Sequence, residues 1–204
     1  MKTIDTSLVI KAIEGDEFAL NRLLNQWYQP IFRYAFKYFG EREIALEVTQ
    51  KSFIKVSSKL SSLNDPSYFK AWIYKIVTNQ CHEEVRKAKS KKLNQWFSLK
   101  PDTMVSLENT TQLENTLSKS SEETDFALIE EQRNALLLKG IQTLSQDLKM
   151  VLLLKHYQDL TFREIAEITN ISENTVKTRL YTALKKLKTH FEKDQTIKAE
   201  LWYE

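Results

Sequence analysis

The stretch LTFREIAEITNISENTVKTRLYTALKKL, from Leu160 to Leu187, decides the reading of this chain. Thr161 stands three residues before Glu164, the spacing at which a hydroxyl caps a helix while the glutamate reaches back to the capping residue's own N–H. A helix therefore starts at Phe162. Phe162, Ile165, Ala166 and Thr169 recur at i, i+3, i+4 and i+7, so one narrow side is built for burial while Arg163, Glu164 and Glu167 stay outside. Asn170 follows where this helix must stop, and asparagine tolerates the left-handed conformation that a helix end requires. Ser172 then caps a second helix, whose Val176, Leu180, Leu184 and Leu187 form a buried stripe of their own. Two cap-bounded helices joined by a tight turn make a helix-turn-helix.

The other face of the second helix carries Glu173, Asn174, Lys177, Thr178 and Tyr181, with Arg179 and Lys185 flanking. Its first turns are suited to a major groove and its cations to phosphates. A solvated hairpin from a helical bundle would also show apolar stripes and surface lysines. It would not need a cap, a short turn and a second cap at this spacing.

The rest of the chain sets the context. Its 204 residues are 42% hydrophobic and 11% aromatic, enough for buried cores, and only three Gly and three Pro favour helices over a turn-rich β architecture. We expect an all-α fold. The net charge of +3 is too mild to establish nucleic-acid binding, so the placement of charge matters more than its sum. The single cysteine, Cys81, excludes an internal disulfide, fits a reducing compartment and reads as a small core residue. No secretory run opens the sequence and no stretch approaches the roughly 20 apolar residues of a membrane span, so a cytoplasmic protein without membrane insertion is expected. His82, His156 and His190 are scattered, and His82-Glu83-Glu84 lacks the second histidine of a zinc site. No metal, cofactor or enzymatic activity is expected.

Composition divides the chain. Aromatic and aliphatic residues recur at helical spacing up to about Lys92, giving a first domain over residues 1–97. From Ser98 to Asp125 the chain turns to Ser, Thr, Asn and acids, with Asp102, Glu108, Glu114, Glu122, Glu123 and Asp125 against Lys100 and Lys119. That stretch, residues 98–125, reads as a flexible acidic linker, too poor in Leu and Val for a core. Periodicity resumes over residues 126–192, a second small helical domain that contains the helix-turn-helix, and residues 193–204 form a tail without a clear signal.

Within the first domain Trp27, Ile31, Ala35 and Tyr38 share a helix face, and Gly40-Glu41 supplies a stop and restart. The next helix carries Val48, Gln50, Phe53 and Val56. Another opens at Asp65-Pro66, with Asp as cap and Pro in the first turn. It runs through Phe69, Trp72, Ile73, Ile76 and Asn79 into Arg86, Lys87, Lys89, Lys91 and Lys92. Trp72 and Tyr74 beside those cations could stack on unpaired bases, although aromatics at this spacing are usually core and Trp72 fits that better. The five cations exceed what a helix C-terminus needs and point to nucleic acid.

These residues resemble a family. In IFRYAFKYFGERE (31–43), VTQKSF (48–53) and SYFKAWIYKIVTNQCHEEVRK (67–87), followed by LSQDLKMVLLLKHYQDLTFREIAEITNISENTVKTRL (144–180), the chain is similar to sigma factors of bacterial RNA polymerase. The likeness is to the extracytoplasmic-function (ECF) type, which keeps only the second and fourth conserved regions. The resemblance implies a region 2-like helical bundle and a region 4-like helix-turn-helix joined by the acidic linker, which would lie in the RNA exit path. It implies core RNA polymerase, promoter DNA in duplex and single-stranded form, and an anti-sigma factor as partners. The helix bearing Glu47, Gln50, Lys51, Phe53 and Ile54 would dock on the clamp helices of the polymerase largest subunit. Phe69, Trp72, Tyr74, Lys75, Asn79, Glu83, Arg86 and Lys87 would melt and hold the minus-ten element, with Asn79 and Glu83 near the pocket for an extruded base. Ser172, Glu173, Asn174, Thr175, Lys177, Thr178, Arg179, Tyr181 and Lys185 would read the minus-thirty-five element.

The chain departs from the family pattern in places. Ile44, Leu46 and Lys51 stand where acids are usual, Glu83 where Asp is commoner, and Thr182 and Leu184 where Arg is frequent. The rival expectation is a free-standing helix-turn-helix regulator that binds an operator without polymerase.

Overall fold

The computed structural model describes residues 5–98 and 133–193, with side chains over 5–90 and 133–193. All the regular structure there is helical. The acidic linker and the tail expected from composition fall outside these residues, apart from the first residue of each, Ser98 and Lys193, which are both helical.

Side-chain caps set the starts of the first two helices. α1 (Thr6–Ile13) begins where Asp5 accepts from the Leu8 N–H. α2 (Glu17–Phe39) begins where Asp16 accepts from the N–H groups of Phe18 and Ala19, at 2.9 and 3.0 Å. It ends at Gly40, whose φ of +78° lies in the left-handed region and whose N–H closes on the Phe36 carbonyl. α3 (Arg42–Lys59) restarts at once. The helix start expected at Asp65-Pro66 is a single 3-10 turn over Pro66–Tyr68, capped by Asp65, which leads directly into α4 (Phe69–Ser98).

α2 is the axis of this half. Its Leu23, Trp27, Ile31, Tyr34, Ala35 and Tyr38 are all buried, each large side chain contributing about 1.5–3 kcal/mol by leaving water. Trp27 meets Phe69 and Tyr74 edge-on at 5.5 and 6.1 Å, and Tyr34 meets Tyr74 at 5.5 Å while its hydroxyl hydrogen-bonds Thr78 Oγ1 at 3.1 Å. Cys81 is fully enclosed, and burial pushes its thiol well above the usual range, so it is the core residue expected from sequence.

The second half opens with α5, helical over residues 133–142, followed by α6 (Gln146–His156), α7 (Phe162–Thr169) and α8 (Glu173–Lys193). Gly140 lets α5 lie against α8: a Cβ there would sit 2.6 Å from the Phe191 ring. α6 buries Leu148 through Leu154 without a break, since it has α8 on one side and α2 on another, while α7 rests on both α8 and α4.

Two stripes differ in register from the sequence expectation. On α7 the buried pair is Ile165 and Ile168, with Phe162, Ala166 and Thr169 at its edges. Thr169 instead donates its hydroxyl to the Ile165 carbonyl. On α8 the stripe runs Val176, Leu180, Ala183, Leu187, and Leu184 is turned out, 38% exposed. The 3.6-residue period places both i+3 and i+4 near the same face, and the close neighbour selects the smaller residue, Ala183.

Candidate nucleic-acid interface

The helix-turn-helix assembles from contacts no more than a few residues long. The Thr161 N–H donates to Glu164 Oε2 at 2.7 Å and the Glu164 N–H to Thr161 Oγ1 at 3.2 Å, a reciprocal capping box. Asn170 adopts φ 55° and ψ 44°, the left-handed turn expected of it. The Thr175 N–H donates to Ser172 Oγ at 3.1 Å, and the two hydroxyls hydrogen-bond each other at 2.9 Å. Ser172 and Thr175 are thus engaged in starting α8.

Asn174, Lys177, Thr178, Tyr181 and Lys185 are exposed together on α8, with Tyr181 67% exposed and Glu173 at the leading end. The Thr178 hydroxyl donates to the Asn174 carbonyl at 2.9 Å, which leaves its lone pairs and methyl group outward for a base amine or a thymine methyl. Lys177 carries its ammonium 5.5 Å over the Phe162 ring, and Lys155 approaches the same ring at 5.1 Å. Arg179 is held by Asp147 of α6 at 2.9 Å. Phe162 and Asp147 therefore position two cations of this face. Neither role was visible in sequence, because both partners belong to other helices.

On α4 the exposed stripe is Lys75, Asn79 and Arg86, with Trp72 half-buried beside it and His82 exposed within it. His82 was not anticipated; burial lowers its pKa, with Asp147 opposing. Phe69 and Tyr74 are fully buried in the aromatic core, so in this arrangement they buttress the stripe from behind, Phe69 packing 5.9 Å from Trp72. Lys55 of α3 holds both oxygens of Glu83 at 2.9 Å. Lys51 bonds Glu47 on its own helix and reaches Glu84 on α4 at 3.3 Å, and Lys87 lies 3.8 Å from the same carboxylate. These carboxylates, Glu47 foremost, hold the Lys51 ammonium above the usual lysine range. A lysine at position 51 is thus accounted for by the inward-facing Glu84.

Along α3, Glu47, Gln50 and Ile54 form an exposed edge, with Ile54 69% exposed. Phe53 is half-buried and stacks on Tyr28 at 6.2 Å. Tyr28 stacks on Phe32, Phe32 on Phe36, and Arg42 lies 5.7 Å over the Phe32 ring. The i, i+4, i+8 spacing of Tyr28, Phe32 and Phe36 is the signal in the sequence for this ladder.

This arrangement, one polar cationic face on a helix-turn-helix and another on a separate helical bundle, is that of a two-part DNA-binding transcription protein. Family models match both parts in order: "Sigma-70 region 2" over residues 23–91 and "Sigma-70, region 4" over residues 134–187. Over 166 residues the chain is 30% identical to RNA polymerase sigma factor SigV of Bacillus subtilis, covering 81% of this chain and 87% of that protein. It is 24% identical over 179 residues to the ECF RNA polymerase sigma-E factor of Haemophilus influenzae, covering 88% and 90%. The fold is that of the sigma factor RpoE solved in complex with the anti-sigma factor NepR from Bartonella quintana, with a TM-score of 0.63 at 18% identity over 86% of this chain and 98% of that one. The chain belongs to the sigma-70 family of RNA polymerase sigma factors, in its ECF branch. Among the described residues no helix is long and apolar enough to cross a membrane.

Proposed function

We propose that this sigma factor directs core RNA polymerase to promoters with two elements. In this reading α8 reads the minus-thirty-five element in duplex form and the α4 stripe captures the minus-ten element as it opens. The observation that carries it is the pair of outward stripes, Asn174, Lys177, Thr178, Tyr181 and Lys185 on α8 and Lys75, Asn79 and Arg86 on α4. The first pattern offers base contacts in early helical turns with phosphate contacts behind; the second offers an amide and cations beside the half-buried Trp72. The domains are those drawn from sequence, 1–97 and 126–192, with the acidic 98–125 between them and a tail from 193.

Polymerase docks, in this proposal, on the Glu47, Gln50 and Ile54 edge together with Phe53. Opening stacked pairs costs about 1.4 kcal/mol per step, more than one small basic domain supplies over several pairs, so opening depends on the polymerase. An anti-sigma partner is carried over from the similar structure, which holds one. A cytoplasmic location follows from the polymerase and the DNA. Permanganate probing of promoter fragments with this protein, with core enzyme and with both tests the reading. Reactive thymines are expected only with both. Tight, specific binding without polymerase and no reactive thymines with it would establish a free-standing regulator.

A further inference from the structure

A cleft of about 670 Å3 lies where the turn after α6 faces α2 and the start of α4. Its volume falls in the range of small-ligand sites, about 300–1,000 Å3. None of the residues in the polymerase-docking edge or in the two outward stripes borders it.

Three cations converge on this cleft. Arg33 and Lys37 stand one turn apart on α2, and Lys70 comes from the first turn of α4. Like charges at i, i+4 repel along a helix, and burial adds to the cost. Lys37 is half-buried, and burial together with the Arg33 charge holds its ammonium below the usual lysine range. Lys51, Lys55 and Arg179 each hold a carboxylate elsewhere in the molecule. Among the described residues none of the three cleft cations is paired with one, although Asp159 borders the same space.

The remaining wall is aromatic and polar. The Trp27 and Tyr157 rings border it, and Lys37 lies 4.3 Å over the Tyr157 ring, so charge and π surface are already side by side. The Tyr74 hydroxyl donates to Gln158 Oε1, which fixes the amide and leaves its NH2 group without a protein partner among the described residues. Asp159 adopts a φ of +52°, in the left-handed region, and the turn it makes brings three consecutive side chains, Tyr157, Gln158 and Asp159, to the cleft.

We propose that this cleft binds a nucleoside polyphosphate, with its phosphates on Arg33, Lys37 and Lys70, its base against the Tyr157 and Trp27 rings, the Gln158 amide donating to the base and the Asp159 carboxylate accepting from the ribose hydroxyls. Guanidinium and ammonium groups hold phosphate through charge-assisted hydrogen bonds, and an aromatic ring takes any planar base. A bare phosphate would leave the rings and Gln158 unused. A nucleic-acid strand running on through the cleft would carry its phosphates past the exposed Asp159 carboxylate, which repels them. Because the cleft draws residues from both halves, a bound nucleotide adds contacts across them and raises the stability of the chain by mass action.

The test is isothermal titration calorimetry of the full chain with ATP as the probe, at about 0.15 M salt so that loose attraction between exposed charges is screened. One saturable site per chain is expected, together with a higher unfolding midpoint as ATP is added. Arg33→Ala and Lys70→Ala should each weaken ATP about tenfold, the loss expected of one hydrogen bond to a charged group. Adenosine and tripolyphosphate, each lacking one half of the ligand, should bind at least about tenfold more weakly than ATP. Lys11→Ala and Lys59→Ala remove exposed cations that do not border the cleft, and should bind ATP as the unsubstituted chain does. Circular dichroism and the unfolding midpoint without ligand show that each variant is folded. No heat of binding and no rise in the midpoint overturns the proposal, as does equal weakening by Lys11→Ala or Lys59→Ala, the mark of a general attraction to a basic chain. Tripolyphosphate binding as tightly as ATP overturns the nucleoside assignment. A mixed-sequence single strand that displaces ATP, and is itself weakened by Arg33→Ala, would make the cleft a path for nucleic acid instead.

Discussion

The helix-turn-helix and the α4 stripe are the two surfaces proposed for nucleic acid, yet their backbones are held in place by opposite means. In α7 and α8 the boundaries are set by side chains within three residues, Thr161 with Glu164 and Ser172 with Thr175. On α4 the placement depends on partners far away in sequence: Trp27 behind Phe69, and Lys55 on Glu83 twenty-eight residues distant. A surface built locally tolerates changes elsewhere, whereas one built from long-range contacts fails when any support fails.

The largest effect should come from removing such a support. Phe69→Ala leaves a cavity beneath Trp27 and Trp72 and should cost about 3–5 kcal/mol, read as a lowered unfolding midpoint. Minus-ten opening should be lost while binding to the upstream element persists. If both activities fall together, the two surfaces are not independent and the comparison breaks.

Next in size is the chemistry of α8 itself. Asn174→Ala or Lys177→Ala should cost about 1–3 kcal/mol of discrimination at particular bases, measured as altered preference in selected upstream sequences. Lys185→Ala should instead weaken all sequences alike and flatten the salt dependence.

The packing of the second half on the first, where Gln142 Nε2 donates to the Lys37 carbonyl and Lys149 Nζ to the Tyr38 carbonyl, both at 2.9 Å, should respond to pH. Burial lowers Lys149 from the ordinary 10.5 to about 8, so the packed state favours its neutral amine, which still has N–H donors for the Tyr38 carbonyl. The separated state binds the extra proton between about 8 and 10.5, and packing should therefore strengthen as pH rises through that window, by at most about 1.4 kcal/mol per unit. Lys37, which burial and the Arg33 charge also lower, acts in the same direction; the Tyr38 hydroxyl, raised by burial, stays protonated throughout. With spin labels on Ser57→Cys and Thr189→Cys, exposed sites on α3 and α8, the short distance by pulsed EPR should gain population from pH 8 to 9.5, and Lys149→Met should reduce that gain.

What was legible in sequence follows the same division. Thr161, Glu164, Asn170 and Ser172 act on their own neighbours, so the caps and the turn fall where their chemistry requires. The face of α2 was legible too, because Trp27, Ile31, Ala35 and Tyr38 keep one period over three turns. The choice of Ala183 over Leu184 was not, since periodicity alone does not say how close α8 comes to its neighbour. Nor was the engagement of Arg179 by Asp147 or of Lys51 by Glu84, because a cation looks the same in sequence whether it faces a phosphate or a carboxylate on another helix. The two carbonyls of α2 capped by Gln142 and Lys149 join residues more than a hundred positions apart, beyond any local rule.

Below these in size stands the capping box. Thr161→Ala should lower the stability of the second half by about 1 kcal/mol, seen as a shifted unfolding midpoint, with the first half unaffected.

The smallest expected effect sharpens the comparison most, because it separates placement from stability. Lys55 and Glu83 are each more than a third exposed, so their pairing contributes little in water, under about 1 kcal/mol. Lys55→Met should leave the unfolding midpoint almost where it was. Yet Lys55 grips both carboxylate oxygens of a residue that flanks Asn79 on α4, and releasing it frees Glu83 to swing across the stripe where DNA would lie. A free carboxylate there repels phosphates, so Lys55→Met should slow the appearance of reactive thymines without changing upstream binding. Lys55→Met combined with Glu83→Gln, which removes the repulsion, should restore the rate. If Lys55→Met alone opens promoters at the unsubstituted rate, Glu83 does not depend on its lysine, and the α4 stripe is more locally built than its contacts suggest.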